Sequence, residues 1–310
     1  MTGPAVLVTR RLPSSVLEKL ESAAAVDVYR GDGAISRDEL RARIADKDAL
    51  VCLLTDAIDR GIIDAAPRLK AIANVAVGYN NIDVAYARSR GVVVTNTPDV
   101  LTESVADFTW ALILAITRRL SEGERLLRRG AWKGWALDFM LGADLRGKQL
   151  GLVGFGRIGR AVAARAPAFG MRVACTSRQP SPQAMSLDRL LVTSDVVSLH
   201  VPLTNDTRHL IDKKALTRMK RSAYLINTSR GPVVDEAALA WALHEHLLAG
   251  AALDVYEKEP EVHADLLMLE NALLVPHLGS ATTETRTAMA GLAVDNVIAV
   301  LSGQPALTPV

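Results

Sequence analysis

Aromatic residues are scarce in this chain, cysteines are nearly absent, and no apolar stretch runs unbroken for long. Phe, Trp and Tyr make up only 4% of the 310 residues although 49% are hydrophobic. The core is therefore aliphatic, which suits one large or two medium α/β domains; two are expected. Cys52 and Cys175 fall in separate apolar runs that read as buried strands, which excludes a cysteine metal pair or a disulfide and fits core thiols in a reducing compartment. No run reaches the length of a signal or membrane span, and a strand-like segment at 5–9 follows the first residues almost at once, so a soluble, cytoplasmic chain without a membrane partner is expected. Charge of one sign is lacking too. With 36 basic against 34 acidic residues the formal net charge is +2, which leaves no general field to recruit nucleic acid or an anionic membrane. Internal repeats, low-complexity tracts and metal-ligand spacings are also missing, and no metal is expected.

What the chain does contain is the stretch Gln149-Leu150-Gly151-Leu152-Val153-Gly154-Phe155-Gly156-Arg157-Ile158-Gly159-Arg160. It reads as an apolar strand that enters a glycine turn and leaves as a helix from about Ile158. Gly154 permits the tight turn, Gly156 lets backbone approach a pyrophosphate with no Cβ in the way, and Gly159 lets the helix pack closely on the strand. The helix N-terminus offers free N–H groups to the phosphates. A glycine triplet by itself also reads as a turn that binds nothing. Its context favours a dinucleotide: an amphipathic helix with Ile158, Val162, Ala166 and Phe169 follows, and residues 171–176 read as the next parallel strand.

Ahead of this stretch, strands at 5–9, 26–29, 49–54, 69–74 and 92–95 alternate with helices at 14–23, 36–44 and 59–65, which predicts a parallel sheet covered by helices. The fourth strand delivers the loop Val75-Ala76-Val77-Gly78-Tyr79-Asn80-Asn81-Ile82-Asp83. Ligands of open α/β sheets bind at the carboxyl ends of strands, so this loop is a candidate for holding a small acid through backbone N–H groups; its plainer reading is an ordinary turn. Composition and periodicity break at Asn96-Thr97-Pro98-Asp99, where a domain boundary is expected. A mostly apolar helix at about 101–120 and a mixed-charge helical stretch at 118–129 lead to an irregular segment with Trp132, Trp135 and Phe139. These aromatics read as packing, an oligomer interface or a pocket wall. Beyond the glycine turn, strands at 196–199, 223–227, 250–254 and 273–275, with helices at 213–219 and 236–248, complete a six-stranded doubly wound pattern. A last helix at 283–301 feeds no strand and is expected to return to the first domain. The expected organisation is an α/β protein with a discontinuous flavodoxin-like domain, 1–98 with 284–310, around a Rossmann doubly wound domain at 99–283.

Chemistry beside a bound nicotinamide needs an anion clamp and a proton donor or acceptor, and the later strand ends offer both. Arg230 follows one strand in Asn227-Thr228-Ser229-Arg230-Gly231-Pro232, and its planar fork suits a carboxylate. His277 follows another in Pro276-His277-Leu278-Gly279-Ser280, and Glu259, beyond a third, can orient the imidazole and favour its protonated form. Plainer readings are a loop arginine, a satisfied histidine and a solvated glutamate. His244 and His246, read as helical, and His209 and His263, in polar surroundings, rank lower.

Taken together, four blocks resemble the D-isomer-specific 2-hydroxy acid dehydrogenases, nearest their glyoxylate and hydroxypyruvate reductase branch. They are Val77-Gly78-Tyr79-Asn80-Asn81-Ile82-Asp83, Gly154-Phe155-Gly156-Arg157-Ile158-Gly159, Asn227-Thr228-Ser229-Arg230-Gly231, and Asp254-Val255-Tyr256-Glu257-Lys258-Glu259-Pro260 with Pro276-His277-Leu278-Gly279-Ser280. The resemblance implies that Arg230 binds the substrate carboxylate and carbonyl, that His277 is the acid/base supported by Glu259, and that Val77 and Gly78 meet the substrate with backbone amides. It further implies a cofactor set of Gly154, Gly156, Arg157, Ile158, Gly159, Ser177, Arg178, Gln179, Thr228, Ser229, Arg230, Asp254, His277 and Gly279, and a homodimer.

Two further expectations concern specificity. About 20 residues beyond the glycines an NAD site usually carries Asp or Glu for the ribose 2′-hydroxyl, whereas this chain reads Thr176-Ser177-Arg178-Gln179-Pro180. Ser177 and Arg178 suit a 2′-phosphate, so NADP(H) is expected to be preferred, with NAD(H) also accepted; the plainer reading is a solvent-facing arginine and dual use. The substrate loop carries no charged residue at Ala76, Val77 or Gly78, which favours a small 2-oxo or 2-hydroxy acid. A phosphite dehydrogenase would carry lysine where Val77 stands. Reduction of another acid such as 2-oxogluconate, and a dinucleotide-sensing co-repressor on the same fold, are the alternatives.

Overall fold

The computed structural model describes residues 3–179 and 181–310; Met1, Thr2 and Pro180 lie outside them. Its chain forms two compact units, Met1–Leu101 with Thr282–Val310 and Thr102–Ala281.

In the first unit β1 (Ala5–Val8), α1 (Ser14–Glu21), β2 (Ala25–Val28), α2 (Arg37–Ile44), β3 (Ala49–Cys52), α3 (Arg60–Asp64), β4 (Ala71–Asn74), α4 (Val84–Ser89) and β5 (Val93–Thr95) follow in order. The strands pair in parallel in the order β2-β1-β3-β4-β5. Strands β3 and β4 are buried along their whole length, which is why their sequences, up to the buried Asn74 that ends β4, are apolar and do not alternate. Ser36, Asp59 and Asp83 start α2, α3 and α4 by accepting a backbone N–H in the first turn, each satisfying one donor that a helix end leaves unpaired. The six-residue helix α4 was not expected; it is too short to show a period inside a polar loop sequence.

The second unit opens with α5 (Thr102–Thr117) and α6 (Leu120–Arg128). There follow β6 (Gln149–Val153), α7 (Arg157–Arg165), β7 (Arg172–Thr176), α8 (Leu187–Thr193), β8 (Val196–Leu199), α9 (Lys213–Arg218), β9 (Tyr224–Asn227), α10 (Glu236–His244), β10 (Gly250–Leu253), α11 (Ala264–Leu267) and β11 (Ala272–Leu274). These six strands are parallel in the order β11-β10-β9-β8-β6-β7. One sheet face packs Trp110, Ile113, Ile116 and Val162 of α5 and α7 over Leu150, Leu152 and Ile226. The other packs Leu190, Leu216, Leu239 and Leu243 over Val153, Leu199 and Leu225. Strand order reverses between β6 and β8, the switch point at which open sheets bind ligands. Helix α10 ends at His244, so His246 stands beyond it and not on a helix as expected; its φ of 50° is left-handed. Cys52 and Cys175 are free and buried.

The last helix, α12 (Thr283–Leu301), belongs to the first unit. Ala290, Ala293, Val294 and Val297 join Val6, Val8, Ala49, Val51, Ala71 and Ala73 in one cluster, so α12 and α1 cover one face of that sheet while α2, α3 and α4 cover the other. Among the described residues no helix is long and apolar enough to cross a membrane.

Candidate active site

Strand β6 enters the glycine turn, and each glycine has its own geometric reason. Gly154 has φ of 97°, and a Cβ there would lie 2.6 Å from the His200 carbonyl oxygen. A Cβ on Gly159 would lie 2.4 Å from the Gly154 carbonyl oxygen, which fixes close packing of helix on turn. Gly156 is different. No described protein atom lies within 4 Å of where its Cβ would be, and no side chain caps α7, in contrast to α8, α9 and α10, whose Ser186, Asp212 and Asp235 take a first-turn N–H. Helices α8, α9 and α10 thus satisfy their own ends, whereas α7, uncapped like α1 and α6, presents its end beside Gly156 to an open space of the kind a pyrophosphate fills. The residues fit a dinucleotide.

Beyond β7, the Gln179 N–H donates to Ser177 Oγ at 3.1 Å, and Arg160 of α7 donates from Nη2 to Gln179 Oε1 at 3.3 Å and from Nε to the Phe155 carbonyl at 3.1 Å. Arg160 therefore braces the 177–179 segment against the glycine turn, and Arg178 projects exposed from that segment. His200, which the sequence reading passed over, follows β8 directly. Its N–H donates to the Val153 carbonyl at 2.7 Å and its Nε2 lies 2.9 Å from Ser198 Oγ. Burial lowers its pKa to about 4, so a neutral imidazole lines the switch point. Its position after an apolar strand was the available signal.

The ends of β9, β10 and β11 carry the other groups. Asn227, buried, organises the turn after β9: its Oδ1 accepts the Ser229 N–H and hydroxyl at 3.0 and 2.8 Å, and its Nδ2 donates to the Arg230 carbonyl at 3.0 Å. Arg230 donates from Nη1 to the Ser229 carbonyl at 2.7 Å. Burial lowers the guanidinium pKa, and Glu259 works against that shift. The Thr228 and Thr109 hydroxyls lie 3.1 Å apart. After β10, the buried Asp254 accepts N–H groups from Leu278 and from Gly279, the latter at 2.9 Å, and so ties the turn that carries His277.

His277 itself has a left-handed φ of 53°, a conformation costing on the order of 1–3 kcal/mol for a residue with a Cβ. Its N–H donates to the Asp254 carbonyl at 2.9 Å, which helps hold it there. The Nδ1 atom meets Glu259 Oε2 at 2.9 Å, and Glu259 Oε1 accepts the Tyr256 N–H at 3.1 Å. Burial alone would raise the Glu259 carboxyl. The bond to His277, its charge, the Tyr256 N–H and Arg230 together outweigh burial and hold the carboxyl below its usual range. An ionised carboxylate thus engages one imidazole nitrogen, Nδ1.

In the first unit, the loop after β4 is organised by its carbonyls. Asn74 Nδ2 donates to the Gly78 carbonyl at 2.8 Å and Asn96 Nδ2 to the Val77 carbonyl at 2.7 Å, while the Thr97 N–H donates to the Ala76 carbonyl at 2.9 Å. Among the described residues the N–H groups of Val77 and Gly78 have no hydrogen-bond partner, leaving two adjacent donors for an anion. No group of three or more metal-ligating side chains occurs among the described residues.

Residues 110–279 match the family model of the D-isomer specific 2-hydroxyacid dehydrogenase, NAD binding domain. This chain belongs to the D-isomer-specific 2-hydroxyacid dehydrogenase family. A glyoxylate reductase of Thermofilum pendens is 48% identical over 99% of this chain and 95% of its own length, and one of Thermococcus onnurineus 47% over 97% and 94%. Among solved structures, the NADPH-dependent glyoxylate/hydroxypyruvate reductase of Sinorhizobium meliloti in complex with NADP and malonate is 38% identical, covers 100% of this chain and 97% of its own, and superposes with a TM-score of 0.88. As a member of this dehydrogenase family the protein is an oxidoreductase that uses a nicotinamide dinucleotide.

Proposed function

We propose that the protein reduces glyoxylate and hydroxypyruvate to glycolate and D-glycerate, preferring NADPH and accepting NADH. The observation that carries this reading is the His277–Glu259 pair, 2.9 Å apart, at strand ends that also supply Arg230. Arg230 clamps the substrate carboxylate and polarises its carbonyl; a planar bidentate fork suits that task where a lysine would not. The bound cofactor supplies the hydride. His277 donates the proton to the developing alkoxide, and Glu259 keeps its ring oriented and charged for that step. Val77 and Gly78 offer their N–H groups to the substrate. Gly154, Gly156, Arg157, Ile158 and Gly159 form the phosphate turn, with Thr228, Ser229, Asp254 and Gly279 lining the nicotinamide side.

The NADPH preference rests on Ser177, Arg178 and Gln179, a segment without a carboxylate that would repel a 2′-phosphate. The preference for small acids rests on the uncharged Ala76-Val77-Gly78 loop. Trp132, Trp135 and Phe139, 53%, 80% and 39% exposed in an irregular segment, are proposed to be covered by a second copy in a homodimer, since large exposed aromatics mark interfaces. The test is turnover of glyoxylate, hydroxypyruvate, pyruvate, 2-oxogluconate and phosphohydroxypyruvate with NADPH. Glyoxylate and hydroxypyruvate are expected to give the highest kcat/KM. A preference for the phosphorylated or long-chain acid overturns the substrate reading, and no turnover of any acid favours a sensing protein.

A further inference from the structure

One carboxylate outside the proposed chemistry ties together the segments that follow β8, β9 and β10. Glu257 Oε1 accepts the N–H of Glu236, at the start of α10, at 3.0 Å, and the Glu257 N–H donates to Glu236 Oε1 at 2.6 Å. Each side chain thus satisfies the other's backbone. Glu257 Oε2 meets Nε2 of His209 at 3.0 Å, and the His209 N–H donates to the Pro232 carbonyl at 2.7 Å. The same two segments are laced further on, with Ile211 N–H donating to Val233 and Asp235 N–H to Ile211, at 3.0 and 3.1 Å. Glu236 is only 5% exposed, and burial raises its carboxyl against the opposing pull of the Glu257 N–H. At Glu257 the balance is reversed: burial is outweighed by the Glu236 N–H and His209, and the carboxyl is held below its usual range.

This hub sits directly against the reacting groups. Gly231, the residue after Arg230, presses on the Tyr256–Glu257 peptide so closely that a Cβ would fall 1.8 Å from the Tyr256 carbonyl carbon. On the other side, the Tyr256 N–H holds Glu259 Oε1 at 3.1 Å. Tyr256 therefore links the two: its carbonyl abuts the turn that carries Arg230, and its N–H holds the carboxylate that meets His277.

We propose that Glu257 is a positioning residue: its paired bonds with Glu236 and its bond to His209 set the placement of Arg230 relative to Glu259, and through Glu259 the orientation of His277. The inference rests on the reduction proposed above. Neither Glu236 nor Glu257 is among the residues proposed to meet substrate, so the effect is read in the geometry of the reacting groups, where a displacement of about 1 Å costs on the order of 10²-fold in rate.

The experiment compares Glu257→Ala and Glu257→Gln with the wild type in kcat and KM for glyoxylate, the pH profile of kcat/KM, and NADPH affinity by fluorescence titration. Glu257→Ala is expected to lower kcat by roughly 10- to 100-fold, to move the alkaline limb to lower pH as Glu259 loses its hold on His277, and to leave NADPH affinity near the wild-type value. Glu257→Gln keeps an oxygen for the Glu236 N–H and is expected to recover most of the rate. Unchanged kcat and pH limb in a folded Glu257→Ala protein, or a Gln variant as impaired as Ala, overturns the inference. Should Glu257→Ala fail to fold, His209→Ala cuts only the half-exposed arm; a shifted alkaline limb supports the inference and an unmoved limb overturns it. Wild-type turnover with silent variants removes this inference alone, whereas a wild type inactive on every 2-oxo acid removes the functional reading and the inference with it.

Discussion

His277 Nδ1 and Glu259 Oε2 lie 2.9 Å apart, although 18 residues separate them in the chain and they stand beyond the ends of different strands. In the proposed reduction that contact takes up Nδ1 and assigns proton transfer to the other imidazole nitrogen. Replacing His277 with alanine is expected to lower kcat for glyoxylate by roughly 10²–10⁴-fold, the usual range for a general acid, with NADPH affinity largely intact. Steady-state kinetics beside a binding titration check this, and near-normal turnover would sink the mechanism.

The direction of pH dependence follows from the same pair. Bonding to His277 helps hold the Glu259 carboxyl below its usual range, so Glu259 is ionised at neutral pH. A negative neighbour favours the imidazolium. Glu259→Gln removes it, and the proton that reduction consumes is lost at lower pH; the alkaline limb of kcat/KM is expected to move down. An unmoved limb at normal rate would take Glu259 out of the mechanism.

Cofactor choice is tested at Arg178, exposed on the segment that Arg160 braces. Arg178→Ala is expected to cut the NADPH-to-NADH ratio of kcat/KM by about tenfold, the lower end for a charge-assisted bond at an exposed position. The ratio is measured with both cofactors at saturating glyoxylate, and an unchanged value removes Arg178 from the assignment.

Gly159 carries a structural prediction. Its missing Cβ would lie 2.4 Å from a backbone oxygen, that of Gly154, which no rotamer change relieves. Gly159→Ala is therefore expected to cost about 1–3 kcal/mol as overpacking does and to weaken dinucleotide binding by moving the turn. Thermal melts with and without NADPH test it; a wild-type melting temperature together with wild-type affinity would contradict the packing argument.

Much of the architecture could be read from residues because the signals were local. The apolar runs that became β3 and β10 are continuous since both their faces are covered, and Gly154, Gly156 and Gly159 fix strand, turn and helix within a dozen residues. The segments carrying Arg230, Glu259 and His277 were legible as strand ends. The short helices α4, α8 and α11 were not: four to seven residues give no full amphipathic period, and α8 follows a polar, proline-containing stretch. The bond between Glu236 and Glu257 spans 21 residues and obeys no local spacing, and His200 is neutral because of what buries it, so neither could be inferred from neighbours in sequence.

The place of α12 in the first unit has a consequence for the order in which the chain acquires structure during synthesis. The sheet face formed by β1, β3 and β4 gains Ala290, Ala293, Val294 and Val297 from α12, and the Thr308–Val310 end bonds to Asn96 and Val94 beside β5. Ribosomal emergence runs from the N-terminus, and units tend to fold as their segments become available. The contiguous Thr102–Ala281 unit has all its strands before α12 appears, while Val6, Val8 and Val51 wait, greasy side outward, for residues synthesised roughly 240 to 290 positions later. A nascent chain that has emerged from the ribosome only as far as residue 281 would therefore be able to complete its second unit but not its first, and that unfinished sheet is where a chaperone would be expected to hold on.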